Sequence, residues 1–585
     1  MLKKVGFVVV LLVAFSVAAM TGACGGPPAE ESPMDAAGLI NGEIGERIDA
    51  YMKGLEGIGF CGAVLVARGE EVLVNKGYGY ADIGKGIRNT AETVFLIGSI
   101  TKQFTAAAIM KLEMEGKLNT ADSISKYLES VPEDKQEITL HQVLTHTAGF
   151  VDYTGDDYET TPRDEAVRRA LAAMLLFTPG EQFQYSNAGF SVLAAIVEIV
   201  SGKPYEDFVR ENLFKPAGMK HTGYRGPDWS GMVISRMYND DTDNGTALER
   251  DYPYWNLLGN GGMMSTTYDM FLWHRALMGE SVLSAEAKEK LYTPELNNYA
   301  YGWDSRETEF GRLITHDGGN DLGANSNFMR YIDRDVVVFY ASNRRISGFP
   351  TNYLMRNALV RIALGEDFDP FPAAAEGEGY DPAAFAGRFL LDSGEFIDAN
   401  VLGGRLVLVP VGQEMVNAII APPEDIASEC SEINEKAVRV IDAIAAGDFD
   451  PLGGLMVNPE RLEGWKEFLT PRIADLGDIE EYLVLGTIQA WWSPGEGLVS
   501  FIRIKGANKT LVFRFHWNEQ GIWGLGGRAI EQPVTLICQP RGESELAAYE
   551  PALGLTIPVG ILREGENLSL ILKTSSGDIT ATRQN

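Results

Sequence analysis

Phe95-Leu96-Ile97-Gly98-Ser99-Ile100-Thr101-Lys102 is the stretch on which the reading of this chain turns. An apolar tetrapeptide gives way, through one glycine, to a helical pattern over residues 99–115, with Phe104, Ala107, Ala108 and Leu112 among its apolar positions and Gly116 as its stop. Ser99 thus opens a helix, where backbone N–H groups and the positive end of the dipole lie beside any developing oxyanion. Lys102 follows one turn later on the same face, so its amine reaches the serine hydroxyl. Set in an apolar helix, that lysine loses its proton readily enough to act as a base. Taken alone, Ser-x-x-Lys is more often a capping serine and a surface lysine. Ser123 to Lys126 repeats the spacing in a polar segment after the helix.

Outward from this stretch, residues 37–54 read as an amphipathic helix. Residues 61–67 and 72–75 read as two strands around the turn Arg68-Gly69-Glu70-Glu71. Residues 120–290 are mostly helix and loop. Strand patterns return at 313–315, 327–332 and 336–340, followed by an amphipathic helix at about 353–364. The layout is a sheet whose strands come from both ends of a segment, with a helical region inserted between them. Residues 367–382, rich in Pro, Ala, Gly and acidic residues, read as a linker. Beyond it, residues 383–585 are β-rich, with strands expected at 385–391, 396–401 and 405–409. Two helices at 430–447 and 459–476 precede four strands at 482–490, 498–504, 510–517 and 521–525, and a small hairpin (568–572 and 578–582) comes last.

Two more motifs carry chemistry. In Tyr185-Ser186-Asn187 the phenol is suited to relay a proton and the amide to bind a substrate carbonyl. In His316-Asp317-Gly318-Gly319 the histidine ends a strand pattern. The glycines after it permit close backbone approach and leave the Gly319 N–H as a second oxyanion donor. Tyr254 to Asn256 and His221 to Gly223 repeat these short patterns, the first inside an aromatic loop suited to line or cover something, the second after a helix end.

Together and in this order, the three motifs resemble the serine β-lactamase and penicillin-binding superfamily, whose signature is Ser-x-x-Lys, a polar second motif and Lys-Thr-Gly. Tyr-x-Asn and His-x-Gly are similar to its class C-like branch of β-lactamase-related serine hydrolases, D,D-peptidases and esterases. The flanking residues agree: Ile138-Thr139-Leu140, Leu144-Thr145-His146-Thr147-Ala148-Gly149 and Gly261-Gly262-Met263-Met264-Ser265-Thr266. The resemblance implies an α/β/α sandwich with an antiparallel sheet and a helical subdomain over residues 38–366. It implies acylation of Ser99, with Lys102 and Tyr185 also catalytic, Asn187, His316 and Gly318 binding substrate, and the Ser99 and Gly319 N–H groups as oxyanion hole. His146 is structural in this pattern. His316 stands where the family has a carboxylate-binding Lys, and Asp317 adds an acidic group expected beside the cleft, so an efficient β-lactamase is not expected. Residues 383–585 resemble a lipocalin-like domain, opened by Phe385-Ala386-Gly387-Arg388-Phe389, with a possible α+β insertion at 430–530. No Gly-x-Ser-x-Gly elbow supports an α/β-hydrolase instead.

Lys3 and Lys4, an apolar run over residues 5–20 and small residues before Cys24 make residues 1–23 a signal peptide and Cys24 a lipidation site, with 24–37 as tether. An exported protein, anchored by lipid at Cys24 and otherwise free of membrane contact, is expected. With 50 Lys+Arg against 81 Asp+Glu the net charge is −31, and no basic cluster is available for nucleic acid. No cysteine or histidine spacing suggests a metal, and no cofactor is expected. Cys430 and Cys538 are left open as a possible pair. The expected function is a secreted serine hydrolase of small-molecule or peptide substrates, cleaving an ester or amide through acyl-Ser99. The alternative is a non-catalytic lipoprotein that senses or binds.

Overall fold

The structure, a computed structural model, describes residues 38–584 apart from 251–252, 347–350, 367, 369–380, 403, 490–496, 529–531, 543, 552 and 566, with only the backbone at 351–353 and 526–528. The signal peptide, the tether, Cys24 and most of the 367–382 linker lie outside the described residues.

Gly62–Arg68 and Val336–Ser342 are buried along almost their whole length, as a strand covered on both faces must be. They form the centre of a seven-stranded antiparallel sheet in the order Leu39–Ile40, Glu71–Tyr78, Gly62–Arg68, Val336–Ser342, Asn325–Tyr331, Gly311–Gly319, Asp304–Thr308. Strands from both ends of the segment therefore meet, as expected. The pleat splits the side chains between two cores. Leu65, Phe328 and Phe339 pack with the helices Thr101–Met114 and Asn187–Ser201, whereas Val66, Met329 and Val338 pack with Gly42–Glu56 and Thr351–Ala363. Each such fully buried side chain contributes about 2 kcal/mol. The result is the expected α/β/α sandwich.

The first helix begins at Gly42, later than expected, because Leu39 and Ile40 pair with the sheet edge. Ser99 lies in a single 3-10 turn, Gly98–Ile100, that leads into the helix Thr101–Met114.

Beyond residue 385 the chain builds a closed eight-stranded barrel from Gly387–Leu390, Phe396–Leu402, Arg405–Val411, Leu536–Pro540, Glu545–Glu550, Leu555–Glu564, Asn567–Thr574 and Gly577–Arg583. Phe389 faces Arg583 where the barrel closes. The small terminal hairpin is thus part of this barrel, and Phe389, Leu408, Leu546, Val559 and Leu570 belong to its core. Between the third and fourth barrel strands sits an α+β unit that starts with Gln413–Ile420, earlier than the expected residue 430, and ends with the strand Gly521–Arg528. Its four-stranded sheet packs on Glu424–Ala446 through Val440, Ile502, Phe513 and Trp517. Arg388, Asp398, Glu481 and Arg503 tie it to the barrel, with Arg503 Nη2 2.6 Å from Asp398 Oδ2 and Arg388 Nη1 2.7 Å from Glu481 Oε1. Ile537 and Tyr549 of the barrel share the core of Tyr51 and Leu354. Cys430 and Cys538 are free and buried in different cores.

Candidate active site

Ser99 is partly exposed, and Lys102 is fully buried beneath it with Nζ 3.1 Å from Ser99 Oγ. The amine also donates to Asn187 Oδ1 at 2.6 Å and to the Asn260 carbonyl at 2.7 Å, and stands 4.7 Å from the centre of the Tyr185 ring. Burial brings the lysine down to about 7, against the opposing charges of Asp152, Asp157 and Asp317. Tyr185 is hydrogen-bonded to Ser99, and burial pushes its phenol well above the usual range, so it is protonated at neutral pH. The motifs thus bring together a hydroxyl, an amine able to be neutral and a protonated phenol.

The helix Asn187–Ser201 carries the second motif at its start, where Ser186 caps it by accepting from the Gly189 N–H. Asn187 Nδ2 donates to Asp152 Oδ1 at 2.8 Å. The amide expected to bind a substrate carbonyl is therefore held between Asp152 and Lys102. His146 packs 4.3 Å from the Tyr185 ring, and its Nδ1 accepts the Ser186 N–H at 3.0 Å.

His316 lies in Gly311–Gly319, the strand next to the sheet edge. Its Nδ1–H donates to the Asp317 carbonyl at 2.5 Å, which leaves Nε2 to accept from the Tyr299 hydroxyl at 2.9 Å. Burial lowers it to about 4, so the imidazole is neutral at pH 7. Asp317 pairs with Asn327, which faces Tyr340 in the next strand, so its side chain lies on the opposite face of the sheet from His316. The expectation of an acidic side chain lining the cleft is corrected there, although the Asp317 charge still reaches Lys102 and Tyr185; the largest charge effect on Arg356, on the helix that covers that face, comes from Asp317.

Gly98, at φ +53°, and Gly318 let the serine turn and the strand touch backbone to backbone. A Cβ on Gly98 would sit 2.4 Å from the Gly319 nitrogen, and one on Gly318 would sit 2.9 Å from the Ser99 nitrogen. The Ser99 and Gly319 nitrogens, the two expected oxyanion donors, therefore sit on backbone segments in direct contact. The repeated motifs lie elsewhere: Lys126 pairs with Asp122 on the surface, and the His221 N–H donates to Asp269.

Sequence reasoning missed three participants. The Asn260 carbonyl that receives Lys102 has no side-chain signature; its signal is the run Gly259-Asn260-Gly261-Gly262, with positive φ at Gly259 and Gly262. Asp152 and Tyr299 are recognisable only once the chain has folded. Among the described residues, no group of His, Cys, Asp and Glu is arranged to hold a metal, and no helix is long and apolar enough to cross a membrane.

A serine on a helix-start turn, a buried amine one turn on, a phenol from a second helix and a glycine-edged strand define the fold and site of a serine hydrolase. The chain belongs to the Beta-lactamase family, whose model matches residues 46–360. It is 30% identical to Penicillin-binding protein 4* of Bacillus subtilis (strain 168) over 385 residues, 60% of this chain and 84% of that protein. It is 34% identical to Putative penicillin-binding protein PbpX of the same organism over 250 residues, 43% of this chain and 62% of that protein. Among solved structures, the octameric penicillin-binding protein homologue from Pyrococcus abyssi superposes on 92% of this chain and 100% of its own at 18% identity and a TM-score of 0.49.

Proposed function

We propose that the chain opens an ester or amide bond through an acyl-Ser99 intermediate, on D-amino-acid peptides or small esters. The observation that carries this reading is the Lys102 amine, brought down to about 7 and 3.1 Å from Ser99 Oγ. The neutral amine takes the serine proton as Oγ bonds to the substrate carbonyl carbon. The Ser99 and Gly319 N–H groups hold the oxyanion. As it collapses, the bond to the leaving group breaks, the Tyr185 phenol gives that group a proton and regains the one held by Lys102, and water then adds to the acyl carbon, its proton passing to Ser99 Oγ as the ester bond breaks. Two relatives are named for penicillin binding, which supports an amide as one class of substrate.

A fluorophosphonate and a fluorescent penicillin, each followed by intact mass, test the reading. One adduct on the wild type and none on Ser99→Ala is expected. Label retained in Ser99→Ala reassigns the nucleophile; no wild-type adduct, under conditions that label a relative, favours a non-catalytic binding protein. We also propose export and lipid anchoring at Cys24, on the N-terminal sequence alone. Incorporation of an alkyne fatty acid in a bacterial host, abolished by Cys24→Ser, is the expected result.

A further inference from the structure

The helix Leu462–Ala474 of the α+β unit carries a stripe that the unit's own core does not consume. Arg461, Trp465, Phe468 and Arg472 recur at i, i+4, i+7 and i+11, the spacing of one helix face, and Arg461 is already helical at φ −81° and ψ −5°. Leu469, fully buried to one side of the stripe, fills the core instead. Trp465 and Phe468 are half-buried, with Trp465 set edge-on to Phe515 at 6.1 Å, so each offers part of a ring to solvent. Arg472 lies 3.7 Å over the Phe468 ring and donates to the Phe468 carbonyl at 2.9 Å. Among the described residues neither Arg461 nor Arg472 forms an ion pair, in a chain of net charge −31. The acids of the same helix, Glu463 and Glu467, fall roughly 130° or more around it from the centre of the stripe.

The stripe begins beside the second motif. Arg461 Nη2 donates to Gln182 Oε1 at 3.2 Å, across 279 residues of sequence. Gln182 stands three residues before Tyr185, so at most about 11 Å of backbone separates the two. That short segment is anchored: the Gln184 N–H donates to the His146 carbonyl at 2.9 Å, and the His146 ring packs 4.3 Å from Tyr185 and 5.8 Å from Phe183. Tyr185 gives its proton to the leaving group, so the departing half of the substrate lies on this side of Ser99. A chain running out past Gln182 meets Arg461 first and Arg472 last. The two arginines are about 16 Å apart along the helix, the span of about five residues of extended peptide. A guanidinium fork matches a carboxylate, and a half-exposed ring takes the apolar side of a backbone.

Resting on the acyl-Ser99 reading, we propose that this stripe binds the leaving half of an extended acidic peptide, with Arg461 and Arg472 each taking a carboxylate and Trp465 and Phe468 supporting the chain between them. The α+β unit thereby selects long acidic substrates for the Ser99 cleft.

The test uses the full chain and two substrates with the same N-acetyl-D-alanyl group. Their amide-linked leaving half is Gly-Gly-Glu-Ala-Ala-Ala-Ala-Glu amide, or the same peptide with Gln at both Glu positions. At low salt the wild type should hydrolyse the Glu peptide with a kcat/KM about tenfold higher, the gain lying in KM, and about 0.5 M NaCl should cut the ratio below about 3-fold. Arg461→Gln combined with Arg472→Gln should bring the low-salt ratio near one. Arg472→Gln alone should lower it and leave turnover of p-nitrophenyl acetate unchanged. A wild-type ratio near one overturns the proposal, as does a preference that survives the double substitution. Fluorescein-labelled copies of the two leaving peptides, titrated into Ser99→Ala, read binding without chemistry. About tenfold tighter binding of the Glu form, lost when both arginines are replaced, supports the stripe. Equal binding, or displacement by polygalacturonate at a lower concentration than by the unlabelled Glu peptide, overturns it. Failure of every ester and amide to turn over strikes down the hydrolase reading alone, because the titration still reports on the stripe.

Discussion

Lys102 Nζ and Asn187 Oδ1 lie 2.6 Å apart although 85 residues separate them in sequence, so the second motif holds the amine of the first. Asn187 is in turn gripped by Asp152, at 3.1 Å from its backbone N–H and 2.8 Å from Nδ2. The base is positioned from outside its own helix. Its protonation therefore depends on groups that no inspection of Ser-x-x-Lys alone would include.

Burial sets the Lys102 amine at about 7, and only its neutral form takes the serine proton. The acylation rate should rise about tenfold per pH unit below 7 and level off above it. A kcat/KM profile on an uncharged ester between pH 5 and 9 measures this. A flat profile removes Lys102 from the role of base.

Asp152 stabilises the charged lysine, so Asp152→Asn should move the acid limb of that profile to lower pH. The asparagine keeps an oxygen for Asn187, which separates the loss of charge from a loss of position. A limb that stays in place or moves upward contradicts the electrostatic role.

Lys102→Ala and Tyr185→Phe should each slow acylation by at least about 10²-fold, the scale of a lost proton-transfer group. Stopped-flow burst kinetics with a p-nitrophenyl ester resolves acylation from deacylation. Unchanged burst rates reject both roles.

Gly318→Ala would set a Cβ 2.0 Å from the Ile97 carbonyl, a contact that only backbone movement relieves. Prising the strand from the serine turn separates the two N–H donors, and acylation should fall by about 10²-fold or more. Single-turnover labelling beside a thermal melt checks this. A variant that melts early but acylates at the normal rate removes the donors from the mechanism.

The core hairpin and the Val336–Ser342 strand were legible because both faces of a central strand are apolar. Asp304–Thr308 was not: it is an edge strand of Asp-Ser-Arg-Glu-Thr, with no apolar alternation to betray it. The barrel strands Glu545–Glu550 and Leu555–Glu564 were hidden by Ala547-Ala548 and by Pro558 and Gly560, residues poorly suited to strands. At the site, the motif side chains could be read directly, while a backbone carbonyl such as that of Asn260 could not. The placement of Asp317 was available in principle, since neighbours of a strand residue face the other way.

The barrel closes where Gly577–Arg583 pairs with Gly387–Leu390, and Arg583 also reaches the Ala384 carbonyl 199 residues earlier. During synthesis, the opening strands of the barrel must therefore wait, with one edge bare, while the ribosome makes an entire α+β unit and five further strands. Pairing at such a separation is slow to find. The seven-stranded sheet beside the Ser99 turn has its last strand by Ser342, and of the barrel only Ile537 and Tyr549 join the core on one of its faces. A ribosome stalled between the two regions should hold a hydrolase core whose barrel has yet to close.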